Sequence, residues 1–156
     1  MCHADPATAL RGAGLRVTAP RVATLEVVGA NPHADAETVA QEVRRRLGSV
    51  SRQAVYDVLN ALADAELLRR VSVGGRRMLY EIHHHDNHHH FVCRDCGRLE
   101  DVPCAQGAAP CLLPPEHHGF QVEVADVIYR GRCAQCSAAA GEATTRDNER
   151  QEALTP

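Results

Sequence analysis

Lysine and tryptophan are absent from this chain of 156 residues, and all 17 cationic side chains are arginine. Three Tyr and two Phe are its only aromatics, which thins any core it can build. No apolar run approaches the roughly 18 residues needed to cross a bilayer. The opening stretch MCHADPATAL lacks a basic-then-apolar targeting pattern. Both features lead to the expectation of a soluble, cytoplasmic protein. Formal net charge is −3, so no global positive field recruits nucleic acid, and any such binding must use local charge. Ten His and seven Cys stand out against this sparse background. Metal is the usual staple where apolar area is short, and in a reducing compartment paired cysteines suggest metal or redox sensing ahead of structural disulfides.

Charge divides the chain. Residues 1–80 hold 11 Arg against 8 acids, and residues 81–156 hold 6 Arg against 12 acids. Every Cys except Cys2, and eight of the ten His, lie in the second part. A mildly basic front and an acidic, metal-rich back imply two modules. In the front, Asp5–Gly12 reads as a short helix. Thr18 with Pro20 opens a helix carrying Val22, Leu25 and Val28 inward, and Asn31-Pro32 ends it. Asp35 caps Ala36–Leu47, where Val39, Val43 and Leu47 form a stripe and Gly48 stops the helix. Ser51 caps a further helix to about Ala65, with Val55, Leu59 and Leu62 inward. The short link Gly48-Ser49-Val50 suits a helix-turn-helix. Leu67–Val73 and Arg77–Ile82 around Gly74-Gly75-Arg76 read as a hairpin.

That order predicts a winged helix over 1–82. Over 83–137 the pattern predicts a small metal-binding domain with strands at His88–Cys93, Arg98–Val102, Phe120–Glu123 and Val127–Cys133. Four prolines across 103–118 exclude a long helix there. Residues 138–156 have no periodicity and read as a disordered tail.

The strongest local signal is Cys93-Arg-Asp-Cys96 with Cys133-Ala-Gln-Cys136. Two residues between thiolates allow a tight turn that aims both sulfurs at one ion, and two such turns complete a tetrahedral site suited to structural Zn(II). A thioredoxin-like redox pair would need a parallel βαβ pattern that is missing. The second signal is the run His83–His90. Strand alternation puts His88 and His90 on one face and His89, with the parity of Cys93, on the other. The imidazole pair and the thiolates therefore serve different ions. Imidazole and carboxylate suit an exchangeable Fe(II), Mn(II) or Zn(II), with Glu81 and Asp101 as oxygen ligands flanking the strand.

Together, Gly14-Leu15-Arg16-Val17-Thr18-Ala19-Pro20-Arg21, the stretch Ser51–Leu59, the ribbon ending in Tyr80-Glu81, the run Asp86–His90 leading to Cys93, and the two Cys pairs resemble the ferric uptake regulator family of metal-dependent repressors. The Asp86–His90 run and the segment from Asp101-Val102-Pro103-Cys104 to Pro110-Cys111 are most similar to the actinobacterial branch associated with catalase-peroxidase control and oxidative stress. The resemblance implies a homodimer of an N-terminal winged helix-turn-helix domain and a small C-terminal α/β dimerisation domain, binding an inverted-repeat operator in double-stranded DNA. It implies a regulatory site of His33, Glu81, His88, His90 and Asp101, so that bound metal ties the domains into one geometry. Since net charge is unfavourable, DNA binding is expected to use local charge and shape: Tyr56 and Arg52 in the major groove, Arg16 in an A·T-rich minor groove, and Arg76 and Arg77 of the wing on phosphate. Arg44-Arg45-Arg46 reads instead as a solvated helix face.

Two departures stand out. Asp57 replaces the arginine often found after Tyr56 in the family; it is expected to accept from cytosine or to orient Arg52. Asn87, Ala108 and Ala125 stand where an additional metal site of some members has ligands, so that site is expected to be absent here. Two sensing chemistries fit the peroxide-responsive branch: oxidation of His33, His88 or His90 beside Fe(II), or thiol chemistry at Cys104 and Cys111, although these two thiols read slightly better as spectators. A regulator tuned to iron or zinc supply without peroxide sensing shares every ligand type. A metal storage or chaperone protein leaves the front half idle. A zinc hydrolase or deaminase needs an open zinc beside a general base, whereas the Cys pairs supply a closed set, so no enzyme is expected.

Overall fold

The structure, a computed structural model, describes residues 5–74, 77–84, 86–107, 110–116 and 118–140. Cys2, Gly75, Arg76, Ala108 and the tail from residue 141 lie outside them. Contacts divide the chain into two units, Met1–Asp86 and Asn87–Pro156. The His83 amide donates to Leu67 O and its Nδ1 lies 3.0 Å from Glu66 O, which fastens the start of the histidine run to the first unit. No helix among the described residues is long and apolar enough to cross a membrane.

The first unit begins with α1 (Pro6–Gly12), whose Asp5 carboxylate accepts from the Thr8 amide. Helix α2 (Ala19–Ala30) starts at Thr18 as expected, yet the Thr18 side chain makes no capping bond. A two-residue strand β1 (Ala34–Asp35) follows, then α3 (Ala36–Leu47) and α4 (Arg52–Asp64). Their starts are fixed by side-chain oxygens: Asp35 Oδ1 accepts from Thr38 N at 2.8 Å, and Ser51 Oγ from Ala54 N at 3.1 Å. Between them Gly48 takes φ +74°, a left-handed turn that a residue with Cβ resists. Strands β2 (Leu68–Val71) and β3 (Leu79–Ile82) pair antiparallel, and β1 joins the far edge of β3, giving the order β1-β3-β2. The apolar stripes expected from helical spacing form the core: Leu25, Val28, Val39, Val43, Val55, Leu59 and Leu62 are all buried, with Leu10, Leu68 and Tyr80 beside them. This is a winged helix-turn-helix, with α3 and α4 as the helical pair and β2–β3 as the wing.

The second unit is built on β4 (His88–Cys93), flanked by antiparallel β5 (Leu99–Pro103) and parallel β6 (Ile128–Gly131). Residues 134–140 form a helix, α5. Two expectations need correction. Residues 120–127 lack regular structure: Phe120 is 77% exposed and Val124 61%, so the apolar alternation that suggested a strand is not driven by burial within this chain. Helix α5 also carries regular structure through 138–140, where the sequence reads as tail. Among the described residues of 103–118 no helix forms, as the prolines require.

Candidate metal centres and nucleic-acid face

Strand β4 ends at Cys93, and a turn over 94–96 with Gly97 at φ +75° brings Cys96 back beside it. Cys133 and Cys136 sit at the start of α5. The four sulfurs lie within 4.8 Å of one another, and Cys96 Sγ to Cys133 Sγ is 3.8 Å. Bonds of about 2.3 Å to a tetrahedral ion put sulfurs about 3.8 Å apart, so the thiols stand at near-coordinating separations. Backbone amides converge on them, Cys133 N on Cys93 Sγ at 3.3 Å and Cys136 N on Cys133 Sγ at 3.5 Å. The amides of Cys133, Cys96 and Asp95 hold the Cys93 thiol down at about 6. The neighbouring sulfurs of Cys133 and Cys96, with burial, push Cys136 up to about 12. One thiolate crowded by three further sulfurs is what a cluster looks like when a dication is needed to let all four ionise. Four soft donors with no position left open fit a structural four-cysteine zinc site.

The expected regulatory ligands are assembled in pairs within each unit. In the first, His33 Nε2 lies 2.9 Å from Glu81 Oε2. Glu81 is 4% exposed, with Arg69 Nη1 3.7 Å from its other oxygen. His33 adopts φ +64°, a region that costs a non-glycine residue energy and that clusters at functional sites. Its amide donates to Tyr80 O at 2.9 Å, so the β1–β3 pairing holds the strained residue beside Glu81. In the second unit His90 and Asp101 are directly opposite on β4 and β5, with Nε2 to Oδ1 3.5 Å. The His88 ring meets that of His90 edge-on at 5.1 Å between centroids, so both project from one face of β4. Neutral imidazoles and carboxylates of this kind fit a divalent ion of the Fe(II), Mn(II) or Zn(II) class.

His89 points to the other face, as strand parity requires, and joins Cys104 and Cys111 in a cluster within 4.8 Å. The sequence signalled the two thiols and the parity of His89 separately, but not that all three meet, because they come from separate stretches of the chain.

On α4, exposed Arg52 lies beside half-buried Tyr56. Arg52 Nη2 lies 3.3 Å from the Tyr56 hydroxyl, and the guanidinium stands over the Tyr56 ring at 5.5 Å. Glu37 on α3 ion-pairs with Arg52. Asp57 does not orient Arg52: it accepts instead from Gln53 Nε2 at 2.9 Å. Arg16 is exposed, and its carbonyl accepts from the Arg21 guanidinium at 2.8 Å. Arg77 reaches Asp35 at 3.5 Å from the wing. In the triple-arginine segment, Arg45 and Arg46 clamp Glu42 and hold its carboxyl at about 2, and Arg46 lies 3.5 Å from Glu26, as a solvated helix face would.

The model of the ferric uptake regulator family matches residues 12–129 of the chain. Over 133 residues the chain is 56% identical to the transcriptional regulator FurA of Mycobacterium tuberculosis H37Rv, covering 85% of this chain and 90% of that protein. Among solved structures, it is similar to the ferric uptake regulator of Pseudomonas aeruginosa with manganese, with TM-score 0.62 and 26% identity, covering 83% of this chain and 98% of that one. The ferric uptake regulator of Vibrio cholerae aligns with TM-score 0.60 and 28% identity, over 83% of this chain and all of that one.

Proposed function

This chain belongs to the ferric uptake regulator family of metal-dependent, DNA-binding transcriptional regulators, and from that premise we propose that it represses oxidative-stress genes such as catalase in response to iron and peroxide. The observation that carries the reading is the paired imidazole and carboxylate in each unit, His33 with Glu81 and His90 with Asp101. One exchangeable Fe(II) or Mn(II) takes His33, Glu81, His88, His90 and Asp101 as its ligands, while Cys93, Cys96, Cys133 and Cys136 hold Zn(II) permanently. Because those five ligands belong to both units, binding favours one arrangement of the winged helix over others. A ligand shifts such an equilibrium only by its difference in affinity between the states, and a ligand set divided between two units supplies that difference.

The protein acts as a homodimer. Phe91, Leu112, Leu113, Phe120 and Val124 of the second unit are all more than half exposed, a concentration of apolar surface that suits an interface. A two-fold dimer reads an inverted repeat. Arg52 and Tyr56 meet base edges or thymine methyls in the major groove, Arg16 probes the minor groove, and Arg76 and Arg77 contact phosphate. Glu37 offers Arg52 an exposed ion pair of little worth in water, so exchanging it for DNA costs little. Bound Fe(II) supplies one-electron chemistry toward peroxide, and His33, His88 and His90 are the ligands then open to oxidation. Their modification lowers metal affinity and releases DNA.

The test is an anaerobic footprint on the DNA upstream of the gene with Fe(II), Mn(II) and Zn(II), repeated after peroxide. Protection of an inverted repeat that needs metal and is lost after peroxide only with Fe(II) supports the reading. Protection that ignores peroxide assigns the protein to metal supply alone, and no protection under any condition removes the repressor role.

A further inference from the structure

Neither Cys104 nor Cys111 belongs to the four-cysteine centre, yet their sulfurs and a ring nitrogen of His89 lie within 4.8 Å of one another. Three stretches of the second unit deliver them. His89 sits inside β4 at 4% exposure, opposite Val102 of β5. Cys104 follows β5 and extends its pairing, its amide donating to Asn87 O at 3.1 Å. Cys111 stands with Sγ 3.3 Å from His89 Nε2 and 3.8 Å from Ala125 O. Both cysteines are half-buried and not joined by a disulfide. The other ring nitrogen of His89, Nδ1, is buried and finds no hydrogen-bond partner among the described residues. A buried polar atom left unmatched costs about 1–3 kcal/mol, so hydrogen bonding alone does not account for a histidine at this position.

The geometry points to a third metal site made by His89, Cys104 and Cys111, for Zn(II) or a similarly thiophilic ion. Bonds of about 2.3 Å to sulfur and about 2.0 Å to nitrogen place tetrahedral S and N donors about 3.5 Å apart, close to the 3.3 Å between Cys111 and His89. On binding, each thiol gives its proton to solvent while His89 stays neutral. Two thiolates then cancel the charge of the dication, so the site adds no net charge beside a buried strand. Soft donors favour Zn(II) over Fe(II) or Mn(II), which separates this site from the imidazole–carboxylate ligands on the opposite face of β4. Three protein donors leave a fourth position for water or an outside ligand, so this ion exchanges more readily than one in a closed four-thiolate set.

The experiment uses the full-length protein prepared without oxygen. Zn(II) is added in steps to protein holding one zinc per chain, and alkylation of each cysteine by N-ethylmaleimide is followed by peptide mass spectrometry. The second equivalent is expected to slow modification of Cys104 and Cys111 by about tenfold or more, leaving Cys2 unaffected. In a parallel titration of the same one-zinc protein with Co(II), thiolate-to-cobalt charge transfer should count one thiolate-bound cobalt per chain, and none in the Cys104→Ser, Cys111→Ser double variant. Alkylation of Cys104 and Cys111 at the same rate with excess Zn(II) overturns the site. So does a two-proton mass loss joining the two cysteines where the ion should be.

Discussion

His33 shows how much a single residue depends on its setting. It stands at φ +64° between the amide bond to Tyr80 and the carboxylate of Glu81. From the residues alone, a histidine ahead of a helix cap carries no signal, and only the family pattern singled it out. Its backbone conformation is the independent mark, and no sequence pattern encodes it. The proposed role makes His33 a ligand that governs metal affinity without holding the fold. His33→Ala is expected to weaken Mn(II) binding by about tenfold or more while the protein retains its zinc, as read by equilibrium dialysis with metal analysis. On the proposed DNA face, Arg52 and Arg77 are expected to separate recognition from attraction. Arg52→Ala is expected to cost about 1–3 kcal/mol on the operator and to relax base preference. Arg77→Ala should weaken specific and random DNA alike, with a shallower salt dependence. Competition binding at several salt concentrations distinguishes them, and equal losses for both variants on both DNAs would overturn the assignment.

At the level of elements, helices were legible and sheet partners less so. Helix α3 is written into adjacent residues: Asp35 at the cap, Val39 and Val43 one turn apart, Gly48 at the stop. Strand β1 is two residues long and exists through pairing with β3, over 40 residues later, so no local pattern announces it. The parallel match of β4 with β6 likewise depends on residues far apart in the chain, and Phe120–Glu123 has the alternation of a strand without the burial. The Asp35 cap makes a direct test. Hydrogen bonds from Thr38, its amide first and then its side chain, hold the Asp35 carboxyl below its ordinary 3.8 despite partial burial, with Arg77 helping. A carboxylate depressed in the folded state stabilises above its unfolded pKa, and that contribution fades as pH falls through the lower folded value. Asp35→Ala is therefore expected to cost about 1 kcal/mol near neutrality, and the difference from wild type should shrink below about pH 4. Urea titrations at several pH values read it. In the core, Leu59→Ala should cost about 2–5 kcal/mol, since Leu59 is fully buried.

For the molecule as a whole, the uneven charge and the crowding of His and Cys into the second half foretold two modules with different work. The four cysteines were legible because two short spacings dictate two tight turns, whereas the cluster of His89, Cys104 and Cys111 stayed hidden until β5 and the loop after it were placed. The proposed function makes DNA binding conditional on an exchangeable metal. The decisive measurement is the dissociation constant for the protected inverted repeat, taken by fluorescence anisotropy without oxygen on protein whose structural zinc is verified, with and without saturating Mn(II). Loading should tighten binding by about 5- to 150-fold, the usual range of coupling between two sites, and His33→Ala should remove most of that gain. Equal affinity of the metal-free and loaded protein, with zinc retained in both, would contradict it.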